Sequence, residues 1–193
     1  MKISEAKQEI AQFLPQKNLI YIRGYIMVGI GVLIALGTII APNVGIMSFK
    51  NAWLPVASFV ILFTGVVEAF DTYISRNTPR FYVNLQFAIL DLVVGWVVLF
   101  SLNYPAYKLS ILIAVFLMIK GLFRVIGAYA GHFATTKPTM IGGGISFLLG
   151  FLIWVQWPGE PTTAILSFCL SVEIALRGWA LVRLAEWLGN LEE

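Results

Sequence analysis

Six long apolar stretches, separated by short polar segments, dominate the hydropathy pattern of this chain. They lie at about 19–40, 53–74, 82–103, 109–130, 139–157 and 163–187. An α-helix rises 1.5 Å per residue, so roughly 20 apolar residues span a hydrocarbon core about 30 Å thick. The pattern therefore predicts an all-α, polytopic membrane protein with six transmembrane helices.

The composition supports a chain whose surface faces lipid. Hydrophobic residues make up 59% and charged residues 12% of the sequence, and the mean hydropathy is +0.86. An average soluble domain has about 25% charged residues. Because the segments between the stretches are short, we expect residues 19–193 to form one membrane domain. A net charge of +3 is too small and too dispersed to predict a nucleic-acid partner.

The first 18 residues follow a different pattern. Ile3, Ile10 and Phe13 share one face of a predicted helix, and polar residues cover the rest before Pro15. This pattern favours a short amphipathic helix over residues 1–18 that lies in the interface of the membrane and stops at the proline. A solvated N-terminal helix is the alternative.

The distribution of Lys and Arg predicts the orientation of the spans. Basic residues collect in the flanks on one side of the predicted membrane, whereas the other side carries only Lys50 and Lys108, with the acid Glu160. The positive-inside rule then places both termini in the cytoplasm. The basic side carries Lys2, Lys7, Lys17, Arg23, Arg76, Arg80, Lys137 and Arg183.

The six spans divide into three similar pairs. The first helix of each pair is followed by a proline, at Pro42, Pro105 and Pro158, and the second helices of the first two pairs align at Gly65 and Gly121. Such a period predicts three tandem helical hairpins that all cross the membrane in the same direction. The predicted repeats cover about 19–76, 80–131 and 138–188, and the third matches least well in its second helix.

Small residues recur every four positions in four of the spans. Lipid is as apolar as leucine, so helices in a membrane associate where small residues let their backbones approach closely. These stripes predict either helix contacts inside the bundle or a homo-oligomer interface. They comprise Gly31 and Ala35; Gly127 and Gly131; Gly142, Ser146 and Gly150; and Ser167, Ser171 and Ala175.

Seven ionisable side chains fall within the predicted spans, at a cost of about 2.5–3.5 kcal/mol each on insertion scales. Depth places Asp91 between Lys120 and Arg124, so we expect Asp91 to pair with one of these bases. Glu173 and Arg177 lie four residues apart on one helix, a spacing that predicts a pair with each other. The full set is Glu68, Asp71, Asp91, Lys120, Arg124, Glu173 and Arg177.

Two interpretations of these charges compete. In the structural one they form an ion-pair network that fixes the helix register, with Glu68 and Arg124 at corresponding positions of the repeat and Asp71 near the interface. In the functional one they line a polar vestibule, open to the cytoplasm, in which Glu68, Asp91 or Glu173 exchanges protons. The balance of signs favours the structural interpretation.

No residue pattern points to catalysis or to a bound group. His132 is the only histidine and has no metal-ligating neighbours at a suitable spacing, so neither a metal nor a cofactor is expected. The glycines at 142–144 lack the Lys and Ser/Thr of a phosphate loop. The sequence therefore does not predict an enzyme.

The segments 29–42, 92–105 and 145–158 each end at a proline, and the second helices of the first two pairs align at Gly65 and Gly121. In these features the repeated hairpins resemble the HdeD-type acid-resistance membrane proteins. The resemblance implies a bacterial inner-membrane protein associated with tolerance of acid or other stress, and it supplies no catalytic residues. We therefore expect a non-enzymatic structural or accessory component whose partner is membrane lipid. The alternatives are a proton or small-solute channel or carrier, and a subunit of a homo-oligomer or larger membrane complex.

Overall fold

A computed structural model describes residues 17–42, 44–46, 49–50, 53–74, 81–131, 136–156 and 159–189. The helices are α1 (Lys17–Ile40), α2 (Trp53–Ile74), α3 (Phe81–Phe100), α4 (Ala106–Gly131), α5 (Thr136–Val155) and α6 (Thr163–Gly189). Two short strands between α1 and α2, β1 (Gly45–Ile46) and β2 (Phe49–Lys50), pair antiparallel. The predicted amphipathic helix over 1–18 lies outside the described residues except for its last two positions, and so do Arg76, Arg80, His132 and Pro158.

The helices form an α-helical polytopic membrane architecture. Within the part of the chain that the structure describes, five helical segments are long and apolar enough to cross a membrane, and α3 contributes a shorter apolar segment, Asn84–Phe100. Large apolar side chains such as Leu33, Phe63 and Phe100 are exposed on the outside of the bundle. Lipid is the solvent that suits such a surface, because a soluble protein rarely exposes apolar area on this scale. The five long segments are Asn18–Ile40, Trp53–Ile74, Ala106–Tyr129, Lys137–Val155 and Thr163–Trp187.

The first helix of each predicted repeat ends before the proline noted in the sequence. α1 ends two residues before Pro42, in agreement with the proline rule. α3 ends five residues before Pro105, because the chain turns first at Ser101, and Pro105 directly precedes α4. α5 ends at Val155, after which Gln156 adopts a left-handed conformation with φ of 55°, a common way to end a helix. Beyond α1, the Trp53 indole donates a hydrogen bond to the Ala41 carbonyl (2.9 Å), which ties the start of α2 to the end of α1.

The six helices pack most extensively in three antiparallel pairs: α1 with α6, α2 with α3, and α4 with α5. Each pair joins the second helix of one predicted repeat to the first helix of the next, and the α1–α6 pair closes the ring. Helices of the same predicted repeat contact each other much less. The two helices of a predicted repeat are therefore not the two that pack most closely against each other.

Glycines allow the backbones of each pair to approach closely. A methyl group built on Gly31, Gly95 or Gly150 would lie only 2.7, 2.8 or 2.7 Å from a backbone atom of the partner helix. No side-chain movement relieves such an overlap, because the obstacle is backbone. Close approach of this kind is the main source of helix association in lipid.

The buried faces of α2, α4 and α6 share one register. Gly65, Gly121 and Gly178 pack in the same way against α3, α5 and α1, respectively. They are separated by 56 and 57 residues, so the third repeat keeps the register although its sequence matches poorly. Two further buried rows follow the same spacing: Ala57, Ile113 and Leu170, and then Ile61, Leu117 and Ile174.

Candidate functional site: a buried charge cluster

Six of the seven predicted intramembrane charges lie together inside the bundle. We call this group the charge cluster. Asp91, Lys120 and Glu173 are at most 2% exposed. Three acids face three bases, so the cluster is neutral when all six groups are ionised. Its members are Glu68, Asp91, Lys120, Arg124, Glu173 and Arg177.

Asp91 on α3 occupies the middle of the cluster. Its Oδ1 lies 2.5 Å from the Lys120 ammonium of α4, and its Oδ2 accepts a hydrogen bond from the Arg177 guanidinium of α6. The prediction that Asp91 pairs with Lys120 or Arg124 is confirmed for Lys120. The depth of each residue in its span was enough to predict this pair, because Asp91 and Lys120 lie on consecutive antiparallel helices at the same height.

Glu173 on α6 is the second buried acid. One oxygen lies 2.8 Å from Arg124 and 3.2 Å from Lys120, and the other accepts a hydrogen bond from the Ser146 hydroxyl of α5. Ser146 was predicted only as a packing residue. Its register is that of Asp91, because Gly95 and Gly150 follow these two residues at the same distance and pack equivalently.

Arg177 does not pair with Glu173, so the predicted contact four residues apart is wrong. Arg177 instead forms ion pairs with Glu68 on α2 and Asp91 on α3, and it donates a hydrogen bond to the Thr64 hydroxyl (3.3 Å). The reason is that each long base reaches across to acids on other helices. If Arg177 paired with Glu173 instead, Glu68 would lose its only described base and Asp91 one of its two, and an acid inside the bundle without a base is the costlier arrangement.

Every ion pair of the charge cluster joins two different helix pairs. The α2–α3 pair contributes the acids Glu68 and Asp91, and the α4–α5 pair contributes the bases Lys120 and Arg124. The α1–α6 pair contributes one of each, Glu173 and Arg177. Glycine contacts therefore hold each pair together, whereas the charge cluster and the buried apolar rows of α2, α4 and α6 connect the three pairs to one another.

The two ends of the charge cluster differ. On one side it is followed by the buried apolar row of Ile61, Leu117 and Ile174. On the other side Glu68 is 25% exposed and Arg124 is half-buried. Among the residues that the structure describes, the cluster is therefore more exposed to water on the side of Glu68 than on the side of this apolar row.

Asp71, the seventh predicted charge, lies outside the charge cluster. It is 57% exposed and forms an ion pair with Arg23 on α1. Its exposure agrees with the prediction that it lies near the interface. We call this side of the molecule the Asp71 end of the bundle; α1 begins there and α2 ends there.

Most of the small-residue stripes mark helix contacts. The stripes of α1 and α6 meet each other, since Gly31 packs on Ser171 and Ala175. Gly127 makes no helix contact with the residues that the structure describes, because a methyl group there would meet no described atom within 4 Å. For this position the alternative of a homo-oligomer interface stays a prediction. Of the other predicted residues, Gly142 approaches Leu176, Gly150 packs on α4, Ala35 is half-buried, Ser167 and Ser171 donate to backbone carbonyls of α6, and Gly131 is the last residue of α4.

Comparison of the chain with protein-family models, with curated proteins and with solved structures gave no match. The arguments for function therefore come from the charge cluster and from the helix packing around it.

Proposed function

We propose that this protein is a non-enzymatic structural or accessory component of the bacterial inner membrane, of the acid-stress type. In this proposal it spans the membrane six times as three parallel two-helix repeats, with both termini in the cytoplasm. The observation that carries the structural role is that every ion pair of the charge cluster crosses between helix pairs. The acid-stress association rests on the resemblance to HdeD-type proteins.

A structural role explains why the charge cluster is neutral and closed on one side. Burial of a charge in a membrane is expensive, and it is tolerated where oppositely charged groups lie within contact distance. Directional contacts also specify one arrangement, since a shifted helix would separate acids from bases. Fixing register in this way is the best-attested use of buried polar groups. Apolar side chains discriminate less between helix arrangements, because lipid solvates them about as well as a neighbouring helix does.

A measurement of stability together with proton flux tests this proposal. Wild-type protein and the Asp91→Asn variant are reconstituted into liposomes that contain a pH-sensitive dye, and thermal stability is measured in parallel. A structural role gives no flux in either protein and a clear loss of stability in Asp91→Asn. Asp71→Asn serves as the matched control, because it removes the same charge outside the cluster and is expected to change stability little.

The second candidate function is a proton or small-solute channel or carrier. The partial exposure of Glu68 and Arg124 favours it, because water reaches the cluster at that end. The same experiment distinguishes the two functions. Proton flux in the wild type that is lost in a stably folded Asp91→Asn protein would support transport and overturn the structural proposal. Mass measurement of the protein in mild detergent then shows whether an accessory role includes a stable partner.

A further inference from the structure

The three interfaces between helix pairs, which we call seams, are not equivalent. The seam between the α1–α6 and α2–α3 pairs carries two ion pairs near the Asp71 end, Arg177 with Glu68 and Arg23 with Asp71. Both acids are partly exposed, and Arg23 is half-buried. The other two seams are held by Lys120 and Arg124 with their acids Asp91 and Glu173. Lys120 and both acids are at most 2% exposed, and Arg124 is 12% exposed.

This difference makes the Asp71 end of the first seam easier to open than the buried parts of the other two. An ion pair that water reaches contributes little to stability, because water replaces the lost contact. A buried pair is hard to break, because each partner is left charged without compensation. The second carboxylate oxygen of Glu68 is buried but accepts no hydrogen bond from any residue that the structure describes, so water that enters an opened seam would satisfy it. Among the acids of the charge cluster, Glu68 has the fewest described partners, because it pairs with Arg177 alone.

Arg177 provides a pivot for such a separation. When Glu68 moves away, Arg177 keeps its contacts with Asp91 and with the Thr64 hydroxyl. These contacts lie about one helical turn deeper than Glu68, because Thr64 precedes it by four residues on α2. The α2–α3 pair can therefore swing at the Asp71 end while the seam remains joined further inside the bundle.

We propose that this seam is a gate. The α2–α3 pair swings away from the α1–α6 pair at the Asp71 end, breaks the Glu68–Arg177 and Asp71–Arg23 ion pairs, and admits water as far as Asp91. The other two seams stay shut. This goes beyond a purely structural role, and it does not require that any solute crosses the membrane.

Thiol labelling tests the gate. Thr72 lies on α2 one turn beyond Glu68 and is buried, and Ala128 is the buried residue at the same register of α4. Each is replaced by Cys in a Cys169→Ala background, and the rate of reaction with a water-soluble methanethiosulfonate is measured. The rate reports the population of the open form. Glu68→Gln and Asp71→Asn are expected to raise the rate at position 72 by roughly two- to fivefold each.

Two controls separate the gate from general loosening. The rate at position 128 is expected to stay unchanged in the same variants. Glu186→Gln breaks an ion pair of the same kind, with Arg183, but within α6, so it should leave both rates unchanged. If Glu68→Gln fails to fold, Arg23→Gln opens the same seam from its other side. Unchanged labelling at position 72, or equal acceleration at positions 72 and 128, would overturn the gate. The flux and stability measurements are independent of this result.

Discussion

Removal of Asp91 is the perturbation that bears most directly on the charge cluster. Asp91→Asn keeps the size of the side chain but leaves two acids, Glu68 and Glu173, against three bases. Removing one partner of a buried ion pair costs about 3–5 kcal/mol. Lys120 and Arg177 each retain one acid, so we expect a loss at the lower end, about 3 kcal/mol.

The double variant Asp91→Asn with Lys120→Met makes the prediction sharper. It restores neutrality, because Glu173 keeps Arg124 and Glu68 keeps Arg177. Replacement of a buried pair by neutral groups of similar volume is often close to neutral for stability. We therefore expect the double variant to lie within about 1 kcal/mol of the wild type, and the two substitutions to be coupled by at least about 2 kcal/mol.

Equilibrium unfolding in mixed micelles, followed by the fluorescence of the six tryptophans, measures these differences. The exposed Arg183–Glu186 pair is the matched control, and its coupling should be about 0.5 kcal/mol or less. If the losses of the two cluster substitutions simply add, the buried charges do not depend on one another and the reasoning is refuted.

Three further predictions concern packing and use the same unfolding assay. Gly121→Ala should cost about 1–3 kcal/mol, because its methyl group would lie 2.5 Å from a carbonyl oxygen of α5, whereas Gly144→Ala has open space and should be nearly neutral; equal effects at the two sites would contradict this packing. Ser146→Ala should cost about 1.5–3 kcal/mol through the hydrogen bond lost by Glu173, and a neutral result would argue against that bond. Trp53→Phe should lower stability by about 1 kcal/mol, because it removes the hydrogen bond from the indole to the Ala41 carbonyl; unchanged stability would show that this bond does not form in micelles.

The sequence predicted the helices well because hydropathy and proline positions act locally. Each helix is recognised from its own residues, whatever it packs against. The choice of partner could not be predicted in this way, since small residues occur in several spans and any two stripes can meet. Only the structure shows that Gly31 on α1 packs on Ala175 of α6.

The charge cluster was predicted in membership but only partly in contacts. Depth sufficed for Asp91 and Lys120. The four-residue spacing failed for Arg177 and Glu173, because this rule describes an isolated helix, whereas a long side chain in a bundle reaches acids on other helices. The role of Ser146 was hidden because the repeats keep this position buried but place a serine where Asp91 stands. The register of Gly178 was missed although glycine recurs at intervals of 56 and 57 residues, because the neighbouring residues of the third repeat match poorly.

Disulfide trapping between α1 and α6 tests the interlocked helix pairs most directly. A Cβ on Gly31 would lie 2.8 Å from that of Ala175, so a shift of about 1 Å reaches disulfide geometry. Gly31→Cys with Ala175→Cys, in a Cys169→Ala background, should form an intrachain bond on mild oxidation, detected by mass spectrometry of the linked peptides. Gly29→Cys with Ala175→Cys should not, because Gly29 faces no described atom within 4 Å. Equal bonding in both proteins would contradict the closure of the bundle by α1 and α6, and so would an absent bond in a first protein that still unfolds cooperatively.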